Sequence, residues 1–151
     1  MLRSFLIGLV AGQRGIAPLA LLTGAARDRK LADDVPLGGL IAHPLAAAGA
    51  VVLSAAEMAG DKQNTAPDRI VPIGLAVRGV TGAYAGAALA PRDRRVAGAA
   101  IAAATALASS WVGWKLRCAA MRRYGQTTTG FVEDAIVLAA GLAIIARPAR
   151  G

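Results

Sequence analysis

The chain has 151 residues, enough for one domain, and is 56% hydrophobic, 4% aromatic and 17% charged, with a mean hydropathy of +0.51. A soluble domain is about 45–50% apolar and about 25% charged, and here alanine and glycine supply most of the apolar count. The net charge of +8 sits in short clusters between apolar runs, which fits anionic lipid headgroups and sets nucleic acid aside as a partner. Small residues make poor soluble cores but good close-packed interfaces between membrane helices. The composition therefore predicts a single all-α, multi-pass membrane domain over residues 1–151, with the bilayer as its first partner.

Five apolar segments follow in chain order, each compared with the roughly 20 residues that a bilayer span needs. The first is about Leu2–Leu22. Arg3 followed by an apolar run imitates a signal peptide, but Gln13 and Arg14 interrupt the run and no clean cleavage pattern follows. It is read as a retained membrane helix. Pro18 has no N–H to return to the Arg14 carbonyl, so a kink or break is expected beside a cation at membrane depth. The loop "ARDRKLADDVP" comes next.

The second segment is about Leu37–Ala59. Glu57 lies in its last turns and Asp61 four residues on, sharing a face with Gly49 and Leu53, and Lys62 follows directly. In "DKQNTAPDR", Pro67 stops the helix, and Asp68 and Arg69 close the loop.

The third segment is about Ile70–Ala90. Gly74, Arg78, Gly82 and Gly86 are four apart and so share one helix face. That face is a ridge of small residues, which places Arg78 in a helix–helix contact rather than in lipid. An unpaired arginine there costs about 2.5–3.5 kcal/mol on insertion scales. Arg78 and Arg14 therefore need partners, and Glu57, the most deeply placed acid, is the favoured one. A structural ion pair and a functional site are both open readings of these charges.

After the turn "PRDRR" comes the fourth segment, about Val96–Trp114. Its helix is expected to continue into "RCAAMRRYGQTTTG", with Trp111, Trp114 and Tyr124 as interfacial anchors. The fifth segment, about Phe131–Ala146, is short for a span. Glu133 and Asp134 open it, where acids complement the helix dipole and Thr128 or Thr129 could cap.

If the N-terminus and the even loops share a side, seven Lys and Arg stand on one side and eight on the other once Arg14 and Arg78 are set aside. That is no bias, and a chain without bias can insert both ways and pair antiparallel. "AGQRGIAPLALLTGAARDRK" and "LAVRGVTGAYAGAALAPRDRR" share an Arg-Gly pair and an Arg-Asp-Arg turn, a weak internal repeat. Transporters often carry such repeats, with sites at the repeat interface.

His43 and Cys118 are each alone, which leaves no metal or disulfide chemistry. No phosphate loop, zinc motif or nucleophile–base set is present, so neither a cofactor nor an enzyme is expected.

The strings "GLVAGQRGIAPLAL", "AEMAGDKQNTAPDR", "LAVRGVTGAYAGAAL" and "GFVEDAIVLAAGLAI" together resemble the small bacterial membrane proteins known as domain of unknown function 4126. The most specific part is Glu57, Asp61, Lys62, Pro67 and Arg69. Where the family often has Gly-Glu, and a proline just after Asp-Lys, this chain has Ala56-Glu57 and Gln63-Asn64. The resemblance implies a polytopic inner-membrane protein and brings no activity with it.

Three expectations follow. The first is a transporter or channel for a small polar or anionic solute, probed through Arg14, Glu57, Asp61, Lys62, Arg69, Arg78, Glu133 and Asp134 and working as an oligomer. The second is a non-catalytic subunit of a larger membrane complex, bound through Gly74, Gly82 and Gly86. A lipid-active enzyme is the third and the least supported.

Overall fold

A computed structural model describes residues 1–62 and 70–146. Among them are seven α-helices and no strand: α1 (Leu2–Gln13), α2 (Ala17–Arg27), α3 (Gly38–Ala42), α4 (Pro44–Gly60), α5 (Pro72–Ala88), α6 (Arg95–Tyr124) and α7 (Gln126–Ala146), with a 3-10 turn at Arg92–Arg94.

The first apolar segment is not one helix. Arg14 is extended (φ −139, ψ 111) and ends α1. Pro18 falls in the first turn of α2, where its missing N–H is one the helix would not have used. The chain then reverses. α1 runs alongside α6 in the same direction: Ser4 faces Gly98, Gly8 faces Ala102, and Gly12 faces Ser109. α2 runs back along α7, with Arg14 at Asp134 and Leu21 on Gly141. Beyond α2, Asp34 and Pro36 reach Arg95 and Tyr84, at the end where α1 began. Helices of 12 and 11 residues are about 18 and about 16 Å long, too short for a hydrocarbon core of about 30 Å. The expected break is present, but it makes a hairpin instead of a kinked span.

The second segment is also divided. Extended His43 separates α3 from α4, and its Nδ1 accepts from the Leu45 N–H at 3.3 Å, with Pro44 as the first residue of α4. The fifth segment is longer than expected. α7 has 21 residues and begins at Gln126, five before Phe131, so Glu133 and Asp134 lie in its second and third turns and cannot serve as first-turn acids. Gly125, with φ +79 and ψ 162, occupies a region open only to glycine, and it folds α7 back along α6. α6 with its leading turn (Arg92–Tyr124) and α7 are long and apolar enough to cross a membrane. The remaining helices are shorter, so five spanning helices are not reproduced.

The contact of α5 with α6 and α1 is built from small residues. A Cβ on Gly86 would overlap Ala102 Cβ and the Gly98 carbonyl, and one on Gly82 would meet Ala106 and Ala11 at 3.1 and 3.3 Å. The ridge on α5 is therefore covered by this chain's own α6 and α1. Gly74, at its upper end, is only half-buried.

Larger apolar side chains face outward, among them Leu45, Val52, Ile73, Val80, Val96 and Ile136, while Ser4, Arg14, Arg78, Ser110, Arg117 and Asp134 are buried. A soluble fold distributes its residues the other way.

Candidate functional site

At one end of the bundle, four helices and the tip of the α1–α2 hairpin bring their charges together; this is called the network end below. The hairpin supplies Arg14, whose extended backbone turns the side chain inward. Its side chain is 1% exposed. Nη1 donates to Asp61 Oδ2 at 2.5 Å and Nε to Asp134 Oδ1 at 2.7 Å. Nη2 lies 2.6 Å from the same Asp134 oxygen, close enough to ion-pair but not aligned for a hydrogen bond.

Asp61, at the C-terminus of α4, is shared. Its Oδ2 also accepts from Arg117 Nη1 at 2.6 Å, and its carbonyl accepts from Arg117 Nη2 at 2.8 Å and from Gln126 Nε2 at 3.3 Å. Arg117 Nη1 continues to Glu133 Oε2 at 2.9 Å. Lys62 Nζ donates to the Met58 carbonyl and to Asp134 Oδ2, and stands 4.6 Å from the centre of the Phe131 ring. Gly130 on α7 leaves room for the Lys62 stem.

Glu57 does not pair with Arg14, contrary to expectation. Its Oε1 and Oε2 accept from the backbone N–H groups of Gly15 and Ile16 at 2.8 and 2.9 Å. The reason is local. Breaking the helix at Arg14 leaves the N–H groups of Gly15 and Ile16, just ahead of α2, without helical acceptors. A carboxylate matched to two adjacent N–H groups satisfies both. Arg78 is buried on α5, with its stem against Gly15.

The two Arg-Gly pairs of the proposed repeat thus touch, Gly15 lying on Val77 and Arg78. They differ in backbone, since Arg14 stands in a break and Arg78 inside a continuous helix.

Of the residues expected from sequence, Arg14, Asp61, Lys62, Glu133 and Asp134 form one ion-pair network, with Glu57 and Arg78 beside it at Gly15. Asp61 and Lys62 are not a solvated loop. Arg69, Pro67 and Gln63-Asn64 lie outside the described residues. The sequence puts Arg117 in a basic cluster with Lys115, Arg122 and Arg123, yet it joins two acids. The signal for it was present: Gly98, Ala102, Ala106, Ser110, Gly113 and Arg117 follow helical spacing, and all are buried. Small residues on one face of α6 mark the inward side, and Arg117 continues it.

Lys62, Arg14, Arg78 and Arg117 carry four positive charges, and Glu57, Asp61, Glu133 and Asp134 four negative ones. Such a balance lowers the cost of burial, which would be several kcal/mol per isolated ion. Among the described residues no group of three His, Cys, Asp or Glu is placed to hold a metal ion. No protein-family model, curated protein or solved structure matches the chain.

Proposed function

We propose that the chain is a multi-pass protein of the bacterial inner membrane that passes a small polar or anionic solute, with the hairpin tip and its charge network as the gate. The observation that carries this reading is the reversal at Arg14–Ile16, buried at the network end of the bundle, with the N–H groups of Gly15 and Ile16, just ahead of α2, directed at the Glu57 carboxylate. Irregular backbone at membrane depth is tolerated where protein or a water-filled cavity shelters it, and half-helices ending this way recur at transport sites. Outward-facing apolar side chains support the membrane setting, as does the resemblance to the small bacterial membrane protein family. Contact between the two Arg-Gly pairs suits a site at a repeat interface.

A second reading, a non-catalytic subunit of a larger membrane complex, has one observation in its favour. Arg14 and Arg117 are each held by two carboxylates and are almost inaccessible, which suits a static clamp. Gly82 and Gly86 cannot then be the partner-binding face, because α6 and α1 already cover them.

The test is solute flux in liposomes reconstituted with the purified protein, using chloride, nitrate and short carboxylates as probes. Transport predicts flux of at least one probe that Glu57→Gln changes. Folded wild-type protein that passes none of them favours the clamp.

A further inference from the structure

The hairpin changes which residues share a side. With α1 and α2 folded back on each other, the N-terminus lies at the same end as the α2–α3 loop and the turn before α6. That loop end carries Arg27, Arg29 and Lys30 in one cluster, Arg92, Arg94 and Arg95 in another, and Arg3 on α1. The α2–α3 loop, which follows the first cluster, is fastened to the second. Asp34, in the loop, accepts from Arg95 Nη2 at 2.7 Å through Oδ1, and its carbonyl accepts from Arg95 Nη1 at 2.7 Å. Arg92 Nε lies 3.4 Å from the other Asp34 oxygen. Tyr84 Oη donates to the Pro36 carbonyl at 2.8 Å and fastens the same loop to α5.

The network end is different. Among the described residues its exposed cations are Lys115, Arg122 and Arg123, while Lys62 and Arg117 are committed to buried acids. Among the described residues, seven basic residues at the loop end thus stand against five at the network end, Lys62 and Arg117 included. The hairpin makes this difference by moving Arg3, since with the first segment as a span the same described residues divide six against six. Arg3 and Arg95 add a second observation. Arg3 Nε and Nη2 and Arg95 Nε are shielded from solvent and meet no acceptor among the described residues. A phosphate oxygen can accept from more than one such donor.

We infer that the loop end is the cytoplasmic end and a docking surface for anionic phospholipid headgroups, which puts the charge network toward the opposite face of the membrane. Lys and Arg near span ends are retained on the cytoplasmic side. Basic residues near an anionic leaflet are attracted to it within a Debye length. A gate for solute would then open first to the outside. This inference rests on the membrane reading but not on transport.

The experiment labels single cysteines with a membrane-impermeant maleimide in a Cys118→Ala background, Cys118 being the only native cysteine. Asp33→Cys reports the loop end and Thr127→Cys the network end, both at exposed positions. Thr127→Cys should label in intact cells with a permeabilised outer membrane, and Asp33→Cys only in inside-out vesicles. The reverse pattern, or equal labelling of both from either side, overturns the orientation. Recovery of the protein in the soluble fraction overturns it together with the membrane reading.

A second readout tests the headgroups. Phosphatidylglycerol added to the detergent-solubilised protein should raise Tm, and phosphatidylcholine or inorganic phosphate should not. The variant with Arg27, Arg29, Lys30, Arg92 and Arg94 all changed to Gln should lose that rise. Equal effects of the two lipids, or a rise with free phosphate, overturn headgroup docking.

Discussion

Arg14 and Asp134 are 120 residues apart in sequence, and Arg14 Nε donates to Asp134 Oδ1 at 2.7 Å. That bond joins the tip of the α1–α2 hairpin to the third turn of α7. The same carboxylate holds Lys62 through its other oxygen, so Asp134 ties the hairpin, α4 and α7 at one point.

Asp134→Ala therefore leaves two cations short of a partner in the interior. Truncating one member of a buried ion pair typically costs 3–5 kcal/mol, and about that loss is expected here. Thermal unfolding in detergent should show it as a large drop in Tm. The double variant Arg14→Met with Asp134→Leu should be less damaged than Asp134→Ala alone, because it removes one of the two stranded cations, leaving only Lys62 short of its carboxylate.

Glu57→Gln keeps the shape but replaces a two-oxygen acceptor with one oxygen and a donor. One of the Gly15 and Ile16 N–H groups then loses its acceptor, at about 1–3 kcal/mol. Amide hydrogen exchange should quicken at Gly15 and Ile16, while the contact of Gly86 on α5 with Gly98 on α6, two turns beyond Arg78, keeps its protection.

Gly86→Ala and Gly49→Ala make a matched pair. The new methyl at 86 overlaps Ala102 and the Gly98 carbonyl, and α5 must move off α6 at about 1–3 kcal/mol. At Gly49 nothing lies within 4 Å of the added Cβ, so the better helix propensity of alanine should leave stability unchanged or raise it by up to about 1 kcal/mol. Tm values of the two variants measured side by side check this.

Gly125→Ala puts a Cβ on a backbone conformation that only glycine adopts freely (φ +79, ψ 162). A cost of about 1–3 kcal/mol is expected, again as a fall in Tm. The side chain meets no neighbour there, so the loss reports backbone strain alone.

Much of the fold was legible. Segments of small apolar residues gave the helical class, and the four-residue spacing of Gly82 and Gly86 marked a face that packs closely on another helix. Pro18 beside Arg14 signalled the break. The reversal was not legible, because a proline in a helix's first turn looks the same after a kink as after a turn. What sets the direction is Glu57, more than 40 residues away, accepting from the freed N–H groups. The same distance hid the true partners of Arg14. Asp61 and Asp134 each sat where a simpler role, loop or helix start, was available. Arg117 was hidden by its neighbours Lys115, Arg122 and Arg123, which are exposed as a basic cluster should be, while only the stripe of Gly98, Ala102, Ala106 and Gly113 points it inward.

A chain that reverses at Arg14–Ile16 within the bilayer differs sharply from one that continues across it. The most direct measurement is the distance between spin labels on Phe5→Cys and Gly24→Cys, in the Cys118→Ala background, with the protein in a lipid nanodisc. Phe5 is exposed, and Gly24 has nothing within 4 Å of an added Cβ. A continuous helix would hold these positions about 28 Å apart. The hairpin predicts a clearly shorter distance, because both labels lie toward the loop end. A distance of about 28 Å or more would contradict the hairpin, and with it the gate proposed at its tip.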